Sequence, residues 1–228
     1  MRHLAPHAEP AKLTAARPAL PLNWSLIPTS VKRAIRDRLY IHQFGLCGYC
    51  EGLLVDLGRH IEHVEPKGGI DGNPARVFEY SNLIVSCQGD IEKKKSAGQD
   101  SSCGHFKDQF VKREGAFRLA DFISPREVGC DRLFSYLIDG RVVPKGAPGS
   151  QDHLRADYTI KALGLDCTRL RNRRRQISSK LVRQINRFKA EPAILQRLVN
   201  HYLSPRPDTN RTLVFWPFYS TRRQRFFP

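Results

Sequence analysis

Four cysteines and three histidines fall between positions 47 and 105 of the chain, together with Glu62 and Asn82. Cys47 and Cys50 are separated by two residues, one of which is Gly48, and this spacing lets both thiolates of one turn reach the same zinc ion. Cys87 and Cys103 complete a set of four ligands, with the 15 residues between them looping out. The alternative is that Cys87 and Cys103 are separate buried thiols, which are common in protein cores. The paired spacing favours a structural zinc ion held by all four cysteines.

A second group of residues has the chemistry of a hydrolase. Glu62 and His63 are adjacent, Asn82 follows 19 residues after His63, and His105 comes two residues after the last of these cysteines. Hydrolysis of a phosphodiester needs a proton acceptor for water, and a histidine suits that task. A divalent ion held by carboxylate or imidazole would neutralise the phosphate and stabilise the leaving oxygen. His63 alone would be read as a surface histidine and Asn82 alone as a turn residue, but the four together favour catalysis.

The composition is that of a basic, folded protein. The chain has 228 residues and a net charge of +16, and an excess of this size makes nucleic acid the first partner to consider and an acidic membrane surface the second. No stretch approaches the length of a transmembrane helix, and the N-terminus lacks the apolar run of a signal peptide. We therefore expect a cytoplasmic protein without membrane contact, whose cysteines stay reduced and bind metal rather than form disulfides.

Local patterns predict the elements that position these residues. Thr29 or Ser30 can cap a helix that runs to about Phe44, and the first two cysteines form the turn after it. Around the site we expect three short strands and one short helix, at Leu53 to Leu57, His60 to Val64, Leu83 to Ser86 and His105 to about Lys112. Residues 88–102 are predicted to be a long polar loop that contains three consecutive lysines from Lys93.

The second half of the chain predicts a hairpin followed by helices. Apolar runs flank the Asp139-Gly140 turn, which is a strong hairpin signal. Helices are expected from Asp152 to about Leu163, from Thr168 to about Phe188 and from Pro192 to about Leu203, before an aromatic and basic tail with no clear period. The prediction is an α+β protein in three parts: an irregular arm at 1–23, the site region at 24–120, and a hairpin with basic helices at 121–228.

The second of these helices is strongly basic. Nine arginines or lysines and no acidic residue lie between Thr168 and Ala190. An apolar stripe predicts that one face packs, which leaves a basic ridge for phosphate binding that is independent of sequence. Docking onto an acidic protein is the alternative. The residues expected to bind nucleic acid are Arg171, Arg173, Arg174, Arg175 and Lys180.

The motifs of the site resemble those of HNH endonucleases, whose core is the ββα-metal fold, also called the His-Me finger. Their order is Cys-x-x-Cys, Glu-His-x-x-Pro-Lys, Asn-Leu, Ser-Cys and Cys-Gly-His. The resemblance is closer to the PtuB-type HNH proteins of Septu and retron anti-phage systems. It rests on Tyr49-Cys50-Glu51, on Ile61 to Lys67, and on the insert from Ser86 to Asp90 that leads to Cys103-Gly104-His105. It continues through the hairpin and the Arg-rich helix, and it covers most of the chain after about Trp24.

The resemblance implies a role for each residue of the site. His63 would be the general base that activates water, and Asn82 would orient it through a hydrogen bond. Glu62, one position before the base, would bind the catalytic ion, and His105 would be its second ligand. Magnesium is the default ion for such a site, while the imidazole ligands also suit manganese.

Four further residues are drawn into the site by the same resemblance. Asp108 lies three residues after His105 and would share its helix face as a third ligand. His60 alternates with Glu62 on a strand and would support the site. Lys67 and Lys107 would contact phosphate.

We therefore expect a metal-dependent HNH endonuclease that acts in anti-phage defence. The resemblance implies a PtuA-type ATPase partner and, in a retron, a reverse transcriptase with its DNA product. The residues leave the choice between DNA and RNA open, because HNH cores position phosphate and ion rather than bases. The alternative function is a non-catalytic subunit, in which zinc stabilises a nucleic-acid-binding or scaffold protein. Such a subunit would need neither the Glu62-His63 pair nor Asn82 and His105.

Overall fold

The computed structural model describes residues 1–20, 23–69, 71–87 and 101–228, and its architecture is α+β, as predicted. The helices of the described residues are α1 Ala11–Ala16, α2 Thr29–His42, α3 Leu54–Leu57, α4 Cys103–Glu114, α5 Gln151–Ala162, α6 Thr168–Arg187, α7 Pro192–Leu203 and α8 Tyr219–Phe226. The strands are β1 His60–His63, β2 Leu83–Ser86, β3 Phe134–Tyr136, β4 Val142–Pro144, β5 Arg206–Pro207 and β6 Leu213–Val214. They pair as three antiparallel ribbons, β1 with β2, β3 with β4 and β5 with β6.

The first ribbon carries the site. β1 and β2 pair so that Glu62 lies opposite Ile84 and His63 opposite Leu83. Every residue of β2 is buried, as expected for a short apolar run in the core. α2 packs on both strands, and its buried residues Val31, Ile35 and Leu39 have the spacing of one helix face.

α4 lies against the same ribbon. The helix begins at Cys103, and the N–H of Gly104 donates to the Ser86 hydroxyl at the end of β2 over 3.2 Å. The helix ends at Glu114 and is followed by Gly115, whose φ of 78° is the left-handed conformation that glycine adopts most readily after a helix. Two strands and a helix thus surround the residues that the sequence singles out.

The second half of the chain follows the prediction closely. The hairpin of β3 and β4 turns at Asp139-Gly140, where Gly140 has a φ of 91°. α5 packs on β4, and α6 packs on α8. One detail differs: α5 is capped by Ser150, whose side chain accepts the N–H of His153, so the predicted cap Asp152 lies inside the first turn.

The predicted strand from Leu53 to Leu57 is wrong, because Leu54–Leu57 forms the single helical turn α3. Leu54 is buried while Val55 and Asp56 are exposed, so the apolar residues that pack are three apart rather than two. Gly58, with a φ of 67°, ends the turn. A run this short carries too few residues to separate the two periods.

Both ends of the described chain are more ordered than predicted. The expected irregular arm contains α1, and its Met1, Leu4 and Leu13 are buried in the core. The tail without a period contains β6 and α8. Residues 88–100 of the predicted polar loop, including its three lysines, lie outside the described residues.

Buried apolar residues from all parts of the chain join one cluster, which includes Leu13, Ile84 and Phe134. The division of the chain at residues 24 and 121 stays a prediction. Among the described residues, no helix combines the length and the apolar character that a membrane crossing requires.

Candidate active site and metal centres

The four cysteines predicted to bind zinc form one buried cluster. Their sulfur atoms lie within 4.8 Å of one another, and the Cys47–Cys103 and Cys50–Cys87 pairs are each 3.8 Å apart. In a tetrahedral site with zinc–sulfur bonds of about 2.3 Å, neighbouring sulfur atoms are separated by about 3.8 Å. The cluster therefore has the dimensions of a zinc site, as the spacing of the cysteines predicts.

Donor groups surround these sulfur atoms. The N–H of Cys87 donates to Cys47 Sγ over 3.3 Å, and the N–H of Gly52 donates to Cys50 Sγ over 3.4 Å. Arg169 of α6 donates to the Ser102 hydroxyl over 2.7 Å, next to the cluster. Burial lowers the pKa of Arg169, but the charges of the nearby cysteines raise it overall. A cation beside a metal held by thiolates offsets their negative charge.

A second group of side chains, of types that can bind a metal ion, lies between β1 and α4. His60 and Glu62 share one side of β1, and His60 Nε2 is 3.5 Å from the Glu62 carboxylate. The ring centroids of His60 and His105 are 4.7 Å apart. His60 Nδ1 and His105 Nε2 are buried without a hydrogen-bond partner among the described residues. Two unpaired imidazole nitrogens beside a carboxylate suit a divalent ion. Their ligand atoms are less tightly grouped than those of the cysteines.

Gly104 is what allows α4 to approach these side chains. A Cβ atom at this position would lie 2.6 Å from a Glu62 carboxylate oxygen and 2.8 Å from His60 Nε2. Both distances are shorter than van der Waals contact, so any larger residue would push the helix away from β1. In the sequence, Gly104 stands out only as a residue between a cysteine and a histidine.

The prediction that Lys107 contacts phosphate is wrong, because the side chain is buried. The residue is 2% exposed, and its ammonium group pairs with Glu62 and donates to the carbonyl oxygens of His63 and Val64. Lys107 lies three residues after Gly104, so it shares the helix face that packs on β1. Burial raises the pKa of Glu62, but the Lys107 charge and hydrogen bonds from His60 and Lys107 outweigh it and lower the pKa to about 2.

Asp108 lies at the edge of this group. It is exposed on α4, three residues after His105. Loss of hydration first and the negative charge of Glu62 second raise the pKa of its carboxyl group. Its charge interacts with that of Glu62, and its side chain is more exposed than that of His60.

His63 lies at the end of β1 and is 7% exposed. Its ring packs edge-on against Trp24, with 4.7 Å between centroids, and its Nε2 is 3.0 Å from the Val77 carbonyl oxygen. Because a carbonyl can only accept, Nε2 carries the hydrogen, and Nδ1 is left with a free lone pair. Burial lowers the pKa of His63 to about 4. The imidazole is therefore neutral at pH 7 and able to accept a proton.

The predicted hydrogen bond from Asn82 to the His63 side chain is not found within the described part of the chain. Its Oδ1 accepts the N–H of Glu65 over 2.8 Å, and its Nδ2 donates to the carbonyl oxygens of Glu65 and Arg76 over 3.1 and 3.3 Å. Arg76 directly precedes Val77, which holds the His63 ring. Asn82 thus links the segment that follows His63 to the segment that carries Val77.

The basic helix α6 presents only part of the predicted ridge. Arg174 is 1% exposed, and its guanidinium donates to the carbonyl oxygens of Leu165 and Gly140. It shares the apolar face with Leu170 and Leu181, so its predicted contact with nucleic acid is corrected. The other predicted residues, Arg171, Arg173, Arg175 and Lys180, are exposed, and Arg171 pairs with Asp166.

Sequence reasoning missed two partners of the site. The residue that bonds to His63 is a backbone carbonyl, which no side-chain pattern can reveal. Trp24, which contacts His63, is separated from it by 39 positions and belongs to no recognisable motif. The position of His60 could be predicted from the sequence, because a histidine two residues from Glu62 on a strand must lie on the same face.

Two known proteins resemble the chain. The "Retron Vc95 putative HNH endonuclease" of Vibrio cholerae serotype O1 biovar El Tor is 32% identical over 152 residues, which cover 67% of each chain. The "Retron Ec83 putative HNH endonuclease" of Escherichia coli is 24% identical over 169 residues, which cover 64% of each chain. The chain thus matches about two thirds of the length of each relative. No family model matches it.

Proposed function

The chain belongs to the family of retron HNH endonucleases, and from that premise we propose that it hydrolyses phosphodiester bonds of nucleic acid with the help of a divalent ion. The observation that carries the proposal is the group of His60, Glu62 and His105 near the cysteine cluster, in which two buried imidazole nitrogens have no hydrogen-bond partner among the described residues. We assign β1, β2 and α4, which supply these residues, to the ββα-metal core of the family.

The residues present fit a catalytic cation. Glu62 and His105 would hold it together with His60, and Asp108 would contact it from the edge. When bound, the ion neutralises phosphate charge and stabilises the leaving oxygen. Magnesium or manganese would serve, and two imidazole ligands favour manganese. Lys107 keeps Glu62 ionised and ties it to α4, so the carboxylate is held in place before the ion arrives.

His63 would act as the general base. Its Nδ1 would take a proton from water while the water oxygen bonds to phosphorus and the bond to the leaving oxygen breaks. The carbonyl of Val77 holds the opposite nitrogen, so the ring cannot turn its protonated side to the water. Asn82 would be a positioning residue, because it holds the backbone that carries Val77.

The names of both relatives connect them to retrons, which supports a role in anti-phage defence. We propose a PtuA-type ATPase as partner, together with a reverse transcriptase and its DNA product where the chain acts in a retron. An effector of this kind would be restrained until it is triggered, so assays include the partner.

Cleavage of labelled DNA and RNA tests the proposal, with magnesium or manganese added and zinc retained. Wild-type protein should cut, and His63→Ala should fold, keep its zinc and fail to cut. His153→Ala, which changes a histidine of α5 outside the site, is the matched control and should cut like wild type.

Two results would contradict the proposal. Equal cleavage by wild type and His63→Ala would remove His63 from the chemistry. If neither cuts, even with the ATPase partner, while both bind nucleic acid, the zinc-stabilised binding subunit becomes the better account.

A further inference from the structure

A small cleft opens beside His63. It has a volume of about 270 Å³ and is lined by Asn23, Trp24, Ser25, Lys67 and Val77. Val77 is the residue whose carbonyl holds His63 Nε2, and Trp24 is the residue that packs on the His63 ring. Trp24 and Val77 therefore line the cleft and also contact the proposed general base.

Trp24 is held firmly at this position. It begins a short 3-10 helix, Trp24–Leu26, and the Asn23 side chain caps that helix by accepting the N–H of Ser25 over 3.0 Å. The Phe78 ring supports the indole with 5.8 Å between centroids. Among the described neighbours of Trp24, Asn23 and Ser25 are exposed, and Leu26 is 65% exposed. A half-buried indole with exposed neighbours thus lines the cleft.

Positive charge accompanies the indole. Lys67, four residues after His63, is exposed and forms no ion pair within the described part of the chain. The ammonium group of Lys32 lies 5.9 Å from the Trp24 ring centroid. A nucleotide has a flat base with apolar faces, which suits the indole of Trp24 and the side of the cleft formed by Val77. Its phosphate is anionic, which suits the nearby lysines.

We propose that this cleft binds one unpaired nucleobase against Trp24 while Lys67 contacts its phosphate, so that the substrate is single-stranded or locally unpaired nucleic acid. Bases inside a duplex are already stacked and cannot reach a tryptophan without being extruded. The inference rests on the proposed nuclease function, because it places the bound phosphate next to the general base.

Tryptophan fluorescence gives a readout that does not depend on cleavage. The chain has two tryptophans, so Trp216→Phe leaves Trp24 as the only one. The probe is a short oligothymidylate, titrated without added divalent ion so that it stays intact. Its binding should quench the Trp24 emission to saturation, and a duplex of the same length should quench it much less.

Substitutions then separate stacking from packing. Trp24→Leu keeps an apolar side chain but no aromatic face, and it should weaken oligothymidylate binding by about tenfold or more. Trp24→Phe should retain most of the affinity, and Lys67→Gln should weaken binding and reduce its salt dependence. Circular dichroism checks that each variant is folded.

Three outcomes decide between the claims. Unchanged Trp24 emission on saturation, with Trp24→Leu binding like wild type, would overturn the inference and leave the nuclease proposal intact. Equal quenching by duplex and single strand would overturn the preference for unpaired bases. Saturating quenching without any cleavage would support the cleft and count against the nuclease proposal.

Discussion

The side-chain amide of Asn82 links the segment that follows His63 to the segment that carries Val77. Asn82→Ala removes its bonds to Glu65 and Arg76 and leaves buried backbone groups unpaired. We expect a loss of about 2–3 kcal/mol in the free energy of unfolding, measured by denaturant titration. Cleavage should fall by more than the loss of folded protein, because Val77 no longer holds the His63 ring in place.

Asn73→Ala is the matched control for that change. Asn73 lies in the same segment, and its side chain caps no helix, so we expect a change within about 0.5 kcal/mol. If the two variants lose equal stability, the amide of Asn82 does not hold the segment together.

At this scale, residue types and spacing predicted the cluster of four cysteines and the strand that carries Glu62 and His63. Three features of the side chains could not be predicted from the sequence. Lys107 looks like any surface lysine until its helix is seen to face β1, and Arg174 likewise faces the core of the molecule. The hydrogen bond from His63 ends on a backbone oxygen, which carries no residue-specific signal.

α8, one of the elements that sequence reasoning missed, protects the free edge of β3. The Gln224 side chain accepts the N–H of Tyr136 over 2.9 Å and donates to the Phe134 carbonyl over 2.7 Å. It therefore takes the place of a neighbouring strand, which an exposed edge would otherwise seek. Glu51, beside the cysteine cluster, accepts the Ser220 N–H near the start of the same helix over 2.7 Å.

Gln224→Ala should thus leave one donor and one acceptor of β3 unpaired. We expect a loss of about 1–3 kcal/mol in the free energy of unfolding, measured by denaturant titration. Arg223→Ala is the control, since its exposed pair with Asp131 contributes about 0.5 kcal/mol. If Gln224→Ala loses less unfolding free energy than Arg223→Ala, water forms hydrogen bonds with the edge of β3 as well as Gln224 does.

Long elements were predicted well and short ones poorly, for a physical reason. α6 and α7 repeat their apolar spacing over several turns, so their period is unambiguous. The single turn α3 and the two-residue strand β6 contain less than one full repeat. Tertiary packing decides their conformation, and a local pattern cannot report it.

Over the whole molecule, the net charge is +16, and part of the positive charge lies on α6. Helical spacing places Arg173, Lys180, Arg183 and Arg187 on one exposed face of α6, opposite the buried stripe. The double variant Arg173→Glu/Lys180→Glu should weaken binding of a labelled oligonucleotide. The slope of log affinity against log salt should fall by about 2. Arg197→Glu on α7 is the control, and an unchanged slope in the double variant would assign the ridge to another partner.

Acid should destabilise the molecule through His42. Burial first, and then the charges of His7, Arg38 and Arg126, lower the pKa of His42 to about 4. An unfolded histidine has a pKa of about 6.5, so between these values the unfolded state binds a proton that the folded state does not. Stability therefore falls as pH drops through this window.

Thermal unfolding measured from pH 7.5 to 5.5, with zinc content checked at each point, would detect this effect. The His42→Gln variant should show a shallower decline than wild type, and His201→Gln on α7 should not. Parallel curves for all three proteins would mean that other groups control the acid response.

The central claim is that His60, Glu62 and His105 form a second metal site beside the cysteine cluster. Electron paramagnetic resonance of free manganese, titrated into the zinc-loaded chain, measures that site directly. We predict one bound manganese ion per chain in addition to zinc, and loss of the manganese but not of the zinc in Glu62→Gln. Manganese binding that is absent in wild type, or unchanged in Glu62→Gln, would contradict the claim.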